Sequence, residues 1–178
     1  MESPFLFGKL VVGKTFVNRT KEIKALETNI DSGINTILIS NRRLGKSSLV
    51  EHVAQKKNSS KIKFAILDLF SITSEKDFYQ EFAKAVMHAS TNKVEQLFKG
   101  VSTFLGKLNP SISIGEEDSG GAVSFGLTFN ADQQTLEEVL DLPEKIAEEK
   151  GIKLVICLDE FQILGNFKSS EQFQQKLR

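Results

Sequence analysis

The sequence contains one cysteine, two histidines and no tryptophan. One cysteine excludes a disulfide framework within the chain, and one cysteine with two histidines cannot by themselves complete a zinc site. An excess charge of either sign is also missing, because 23 Lys and Arg residues balance 23 Asp and Glu residues. Nucleic-acid-binding domains usually carry a basic excess, so nucleic acid is a possible partner that the charge does not support.

Long apolar runs are missing as well. None approaches the ~20 residues that a membrane-spanning helix needs, and residues 1–4 lack the basic end and apolar run of a secretory signal peptide. We therefore expect a cytoplasmic protein with no membrane partner. Its 178 residues, 40% hydrophobic and 26% charged, predict one globular domain over residues 1–178.

Three short apolar runs have the pattern of central parallel strands covered on both faces: residues 36–40, 62–69 and 154–158. Amphipathic helices are predicted between the strands, one capped by Asn18, one opening at Ser47 and one capped by the Ser74-x-x-Asp77 box. Strands that alternate with helices in this way are typical of an α/β fold with a doubly wound parallel sheet.

One stretch interrupts this alternation. Residues 91–108 have the spacing of another amphipathic helix, while residues 111–114 and 123–129 alternate apolar with small or polar side chains around an acidic, turn-rich connector. The alternation predicts a β-hairpin with a long tip. We therefore expect a helix and a β-hairpin inserted into the sheet domain at about residues 91–132.

A further helix is predicted after the hairpin. The Thr135-x-x-Glu138 box begins it, Pro143 restarts or kinks it, and Gly151 stops it before the last strand.

The segment between the first predicted strand and the second helix follows the phosphate-binding loop pattern G-x-x-x-x-G-K-[ST]. Gly45 allows a sharp turn that points successive backbone N–H groups at phosphate oxygens, and the next helix adds donors and partial positive charge. Lys46 would neutralise the β- and γ-phosphates, and the Ser47 hydroxyl would bind Mg²⁺. The residues predicted to bind the nucleotide are Ser40, Asn41, Arg42, Arg43, Leu44, Gly45, Lys46, Ser47 and Ser48.

The specificity of this match depends on its context. A bare Gly-Lys-Ser/Thr triplet arises by chance about 0.1 times in a chain of this length at average residue frequencies. Ser40 also stands where the pattern has its first glycine. The strand, loop and helix arrangement therefore decides between a phosphate-binding loop and a plain turn with a solvated lysine.

The last predicted strand ends in Asp159 and Glu160, which is the Walker B pattern. Sheets of α/β proteins bind ligands at the carboxyl ends of their strands. Asp159 would hold Mg²⁺ and Glu160 would orient or deprotonate the attacking water, so Glu160 and Lys46 are the predicted catalytic residues. The alternative is two surface acids after a buried strand. Because GTPases have Asp-x-x-Gly here and this chain has Phe161 and Gln162 after the acidic pair, ATP is favoured over GTP.

With these motifs the chain resembles the archaeal-type P-loop ATPase domain of the AAA+ and signal-transduction ATPase group. The matching segments are residues 16–23, 42–49 and 155–161. The resemblance implies a three-layer P-loop NTPase sheet of the additional-strand (ASCE) type with strand order 5-1-4-3-2. It also implies ATP and Mg²⁺ as ligands and ATP hydrolysis that drives a conformational switch. Phe16 and Val17 would then contact the adenine, or serve as ordinary packing residues.

The sequence departs from that family at Ser40 and after the Walker B strand. Similar ATPases continue with a sensor on a fourth strand, an arginine finger and a helical lid, so we expect the N-terminal part of such a domain. An arginine finger is worth ~10³–10⁵ in rate, and ATP binding should survive its loss better than turnover does. The alternative is a non-catalytic nucleotide-binding or protein-interaction module, with a protein partner or self-association through the sheet edge or hairpin.

Smaller candidates have alternatives as well. Arg42 and Arg43 could reach the γ-phosphate, a partner subunit or nucleic acid, or lie in a solvated loop. Asp68, at the end of the second strand, could serve the Mg²⁺ side of the site or form a turn, and the turn is favoured.

Overall fold

The computed structural model describes residues 16, 18–41, 44–91, 110–116, 123–129, 138–167, 171, 173, 175 and 177. The chain divides into two compact units, Met1–Ile62 and Lys63–Arg178. The helices are α1 (Thr20–Ser32), α2 (Lys46–Lys57), α3 (Glu75–Ser90) and α4 (Leu142–Lys150). The strands are β1 (Ile62–Asp68), β2 (Pro110–Glu116), β3 (Val123–Phe129) and β4 (Lys153–Asp159).

The first unit opens with α1, whose start differs from the sequence prediction. The sequence predicts that Asn18 caps the helix, but Arg19 occupies the N-cap position, and neither residue has the extended backbone of an N-cap. Asn18 has φ 67° and Arg19 has φ 128°. The helix ends at Gly33, which adopts the left-handed conformation that glycine tolerates best.

Helix α2 begins at Lys46, one residue before the predicted start at Ser47. Two ion pairs join it to α1, Lys56 with Glu27 and Lys57 with Asp31. In each pair one side chain is more than half exposed. Ion pairs open to water contribute little to stability, so burial of the apolar face of α2 contributes more. The residues buried on that face are Leu49, Val53 and Ala54.

The first predicted strand, residues 36–40, is wrong as a buried strand. Ile37 and Ile39 are 86% and 90% exposed, and residues 34–41 have no regular secondary structure. A central strand needs hydrogen-bonded neighbours. Among the described residues the strands pair only as β1 with β4 and β2 with β3, so this segment has no strand beside it.

The second and third predicted strands are present as β1 and β4, which pair in a small parallel sheet. The predicted cover on both faces is not seen for β1, because Ala65 and Leu67 are buried while Ile66 is 40% exposed. The alternation leaves one face of β1 open to solvent. The chain is therefore a mixed helix and strand protein with a two-stranded parallel sheet.

Helix α3 confirms the predicted capping box. The Ser74 hydroxyl accepts a hydrogen bond from the Asp77 backbone N–H at 3.1 Å, which satisfies one of the free donors of the first turn. Its inner face is apolar and packs into the core of the second unit. The residues buried there are Phe78, Tyr79, Phe82, Ala83, Val86 and Met87.

The predicted β-hairpin is also present. β2 and β3 pair antiparallel, from Pro110 opposite Phe129 to Glu116 opposite Val123. β3 runs beside α3 within the second unit. The helix predicted over residues 91–108 and the Thr135-x-x-Glu138 box lie outside the described residues, apart from Thr91 and Glu138.

Helix α4 restarts where the sequence predicts. A 3₁₀ turn over Glu138–Asp141 precedes it, Pro143 lies in its first turn, and Gly151 ends it with φ 60°. In the part of the chain that the structure describes, no helix is both long and apolar enough to cross a bilayer.

The core of the second unit is built around aromatic rings. The Phe173 ring meets the Phe78 ring edge to face at a centroid distance of 5.0 Å, and it also lies against Tyr79 and Phe167. The Phe78 ring stacks on Phe82 at 5.5 Å. Aromatic pairs of this geometry add to the free energy gained from burial alone.

Candidate phosphate-binding site

The candidate site is centred on Gly45, immediately before α2. Gly45 has φ 72° and ψ 32°, a left-handed conformation that is costly for residues with a Cβ. Its carbonyl accepts the first helical hydrogen bond from the Leu49 N–H at 3.0 Å. The backbone thus turns sharply into the helix at the glycine, as the loop pattern predicts.

The side chain of Lys46 folds back across the loop. Its Nζ donates a hydrogen bond to the Ser40 carbonyl at 3.2 Å, and the bond is partly buried. The loop is therefore closed between its first residue and its lysine, in contrast to a lysine that extends into solvent. Leu44 and Asn41 are exposed along this loop, and Arg42 and Arg43 lie outside the described residues.

The two serines after the lysine are in the first turn of α2. Ser47 is exposed and Ser48 is half-buried. The first turn of a helix has backbone N–H groups without partners inside the helix and carries partial positive charge. An anion placed at this end of α2 would meet both features.

Arg19 contacts this loop, which the sequence does not indicate. Its Nη1 donates to the Leu44 carbonyl at 3.0 Å and to the Gly45 carbonyl at 3.1 Å. Its Nε donates to Glu22 Oε1 at 3.3 Å. The resemblance places Arg19 on the adenine side of a pocket, and its contacts with the loop carbonyls come from tertiary structure that no local pattern encodes.

The Glu22 carboxylate forms an ion pair with the Arg19 guanidinium. A hydrogen bond from its own backbone and then one from Arg19 lower the pKa of Glu22 below its usual range. Glu22 therefore stays ionised and holds the guanidinium at neutral pH.

Phe16 is placed against a helix of the same unit. Its ring stacks on the His52 imidazole of α2, with centroids 4.6 Å apart and planes 19° from parallel. This contact fits the packing alternative for Phe16. Val17 lies outside the described residues.

Comparisons of this chain with protein-family models, with curated proteins and with solved structures find no match. What the protein binds is therefore inferred from the loop and from the acidic pair at the end of β4.

The acidic pair follows β4 in the second unit. Asp159 is the last residue of the strand, and Glu160 has the left-handed φ of 54°. The Asp159 Oδ1 accepts a hydrogen bond from the Glu160 backbone N–H at 2.9 Å, and Gln162 donates from its side chain to Glu160. Both acids are half-buried, which differs from two fully solvated surface carboxylates.

The predicted site residues are thus placed in two groups. Ser40, Gly45 and Lys46 meet in the first unit, whereas Asp159 and Glu160 meet in the second. Among the described residues no group of three or more His, Cys, Asp and Glu side chains could hold a metal ion.

Asp68 stabilises a turn, which is the role that the sequence favours over one in the Mg²⁺ site. Its Oδ1 accepts a hydrogen bond from the Phe70 backbone N–H at 2.9 Å and begins a 3₁₀ turn at the end of β1.

Proposed function

We propose that the loop from Ser40 to Ser48 binds the phosphates of ATP. The observation that carries the proposal is the closed loop at the start of α2, with Gly45 in the left-handed conformation and Lys46 Nζ bonded to the Ser40 carbonyl. A left-handed residue followed by a helical one aims consecutive N–H groups to the same side, which is a common anion-binding geometry. The lysine adds the positive charge that a polyphosphate requires.

Mg²⁺ belongs to the same proposal. The Ser47 hydroxyl is a hard oxygen ligand of the kind that Mg²⁺ prefers, and nucleotide phosphates and water would fill much of its shell. The Asp159 carboxylate is the same kind of ligand, and its role rests on the Walker B pattern of the sequence. Bound Mg²⁺ would neutralise developing charge on the phosphates. Glu160 would orient or deprotonate the attacking water, and its position directly after the β4 strand supports that role.

For the fold as a whole we propose the three-layer P-loop NTPase sheet with strand order 5-1-4-3-2. The second and third strands are neighbours in that order, and β1 and β4 are the second and third predicted strands, so their pairing supports it.

Binding is tested by titration with a fluorescent ATP analogue in the presence of Mg²⁺. We expect Lys46→Ala to weaken binding by about tenfold or more, which is the usual effect of losing a charged hydrogen bond. Lys24→Ala, at an exposed lysine of the same unit, is the matched control and should bind as the wild type does. Equal affinity of the Lys46→Ala variant and the wild type would refute the assigned site.

Hydrolysis needs its own measurement. Phosphate release from ATP should fall by about 10²-fold or more in Glu160→Gln if Glu160 acts as the base. The amide keeps the shape of the side chain and removes its basicity. Turnover at the wild-type rate in this variant would exclude Glu160 from the chemistry.

The second candidate function is a non-catalytic interaction module that keeps nucleotide as a structural ligand. The exposed apolar side chains at Ile37 and Ile39 favour it, because such a segment can pair with a strand of a protein partner or of a second copy. This function predicts nucleotide affinity with negligible phosphate release. The two assays together therefore separate the two candidates.

A further inference from the structure

One arginine nitrogen bridges two successive carbonyls of the phosphate loop. Arg19 Nη1 lies 3.0 Å from the Leu44 carbonyl oxygen and 3.1 Å from the Gly45 carbonyl oxygen. A Cβ built on Gly45 would lie 3.7 Å from the same nitrogen, so the guanidinium is in contact range of the loop at its glycine. Both carbonyls therefore point toward Arg19.

The direction of these carbonyls sets the direction of two backbone donors. The Leu44 carbonyl shares a planar peptide unit with the Gly45 N–H, and the Gly45 carbonyl shares one with the Lys46 N–H. In a trans peptide the C=O and N–H bonds point in opposite directions. Arg19 holds the Leu44 carbonyl and shares the Gly45 carbonyl with the Leu49 N–H. The N–H groups of Gly45 and Lys46 therefore point away from Arg19, on the side where a phosphate would bind.

We infer that Arg19 is a positioning residue for the phosphate loop: it orients the Gly45 and Lys46 N–H groups without touching the nucleotide. This inference rests on the proposed phosphate-binding function. The two side chains then stabilise the loop by different contacts. Arg19 binds the Leu44 and Gly45 carbonyls, while Lys46 spans the loop to the Ser40 carbonyl.

Arg19 is itself held in place by α1. Its backbone carbonyl accepts the Ile23 N–H at 3.0 Å, and its Nε donates to Glu22 Oε1 at 3.3 Å. The φ of 128° at Arg19 and of 67° at Asn18 are uncommon for residues other than glycine. Strained residues persist where the surrounding contacts require them, and here the Arg19 side chain joins the start of α1 to the loop before α2.

The geometry requires a guanidinium and not only a positive charge. The guanidinium donates from two nitrogens at once, Nη1 to the two carbonyls and Nε to Glu22, whereas all three donors of a lysine ammonium lie on one nitrogen. The Arg19→Lys variant therefore separates positioning from simple electrostatic attraction of phosphate.

The first test uses the protein without nucleotide. Backbone amide NMR signals of Gly45 and Lys46 should move in Arg19→Ala and in Arg19→Lys, and exchange of these amides should quicken. Lys21→Ala removes one positive charge two residues away and should leave both signals in place. Unmoved Gly45 and Lys46 signals in Arg19→Ala would overturn the inference, whatever the protein binds.

The second test measures affinity for a fluorescent ATP analogue in the same variants. We expect a loss of about tenfold in Arg19→Ala, a loss of at least about threefold in Arg19→Lys, and no more than a twofold change in Lys21→Ala. Wild-type affinity in Arg19→Lys would mean that charge alone matters and would refute positioning. If Arg19→Ala does not fold, Glu22→Gln takes its place in both tests, with the same shifts expected at smaller size.

The two proposals fail in different ways. If Lys46→Ala binds the analogue as the wild type does, the phosphate-binding function is wrong, while the amide signals still report whether Arg19 orients the loop. If Lys46→Ala loses binding and Arg19→Ala does not, only the positioning inference is wrong.

Discussion

At the scale of single residues, Gly45 is where backbone conformation and the proposed function meet. Its φ of 72° lies in the left-handed region, and an added Cβ would make only an ordinary contact with Arg19 at 3.7 Å. A substitution there is therefore opposed by backbone strain and not by crowding.

We predict that Gly45→Ala lowers the free energy of unfolding by about 1–2 kcal/mol, the usual cost of the left-handed conformation for a residue with a Cβ. It should also weaken binding of the fluorescent ATP analogue. Urea denaturation measures the first effect. Gly165→Ala, at a glycine without positive φ and with open space around it, is the control and should be near neutral. An equal effect of both substitutions would contradict this account of Gly45.

The residues of the loop could be predicted from sequence only in part. Gly45 and Lys46 are recognisable because the turn and the charge demand those residue types at those positions. The contact of Arg19 with the Leu44 carbonyl spans 25 positions, and the positive φ at Asn18 and Arg19 is uncommon for their residue types. Neither this long-range contact nor the positive φ values can be recognised from the periodicity or the composition of the sequence.

At the scale of elements, α3 was predictable because its capping box and its apolar spacing agree. A hydrogen bond from the Thr73 hydroxyl to the Asp77 carboxylate lowers the pKa of Asp77 below its usual range. A hydrogen bond with the Ser74 side chain has a smaller effect in the same direction. The ionised form of Asp77 is therefore favoured in the folded state.

This shift predicts a pH dependence of stability. A carboxyl with a lowered folded-state pKa stabilises the protein above its unfolded-state pKa, and that contribution disappears as the pH falls through the folded-state value. Thermal midpoints of the wild type and Asp77→Asn should therefore differ at pH 6 and converge as the pH falls below the ordinary aspartate pKa of about 3.9. Circular dichroism across this range measures both. A constant gap between the two curves at every pH would contradict the assignment.

The segment before the phosphate loop is the element that the sequence misplaces. A run of β-branched apolar residues indicates strand propensity, but a strand also needs partners, and no local pattern encodes them. Ile37 and Ile39 are consequently exposed and not buried.

Ile39→Ala tests this placement. We predict a change in unfolding free energy within about 0.5 kcal/mol, as at most exposed positions. Leu49→Ala, at a side chain 2% exposed in the same unit, should cost about 2–5 kcal/mol. A cost for Ile39→Ala as large as for Leu49→Ala would mean that the segment is buried in solution, as in the strand that the sequence predicts.

At the scale of the whole molecule, the aromatic core lies in the second unit. Phe78 is fully buried and contacts the rings of Tyr79, Phe82 and Phe173. The helix spacing of α3 predicts that Phe78 and Phe82 face inward. The contact of Phe78 with Phe173 joins residues distant in sequence, and no local pattern predicts it.

We predict that Phe78→Ala lowers the free energy of unfolding by about 3–5 kcal/mol, because it leaves a cavity among the rings. Phe70→Ala, at a ring 69% exposed, should change it by less than about 0.5 kcal/mol. Urea denaturation of both variants compares them directly. Similar costs at the two positions would contradict the described core.

The central claim is that the loop around Gly45 and Lys46 binds the phosphates of ATP. The most direct measurement is calorimetric titration of wild type and Lys46→Ala with adenosine, AMP, ADP and ATP in Mg²⁺. We predict affinity that rises with each added phosphate in the wild type and a much flatter series in Lys46→Ala. Affinity independent of phosphate number, or the same rise in both proteins, would contradict it.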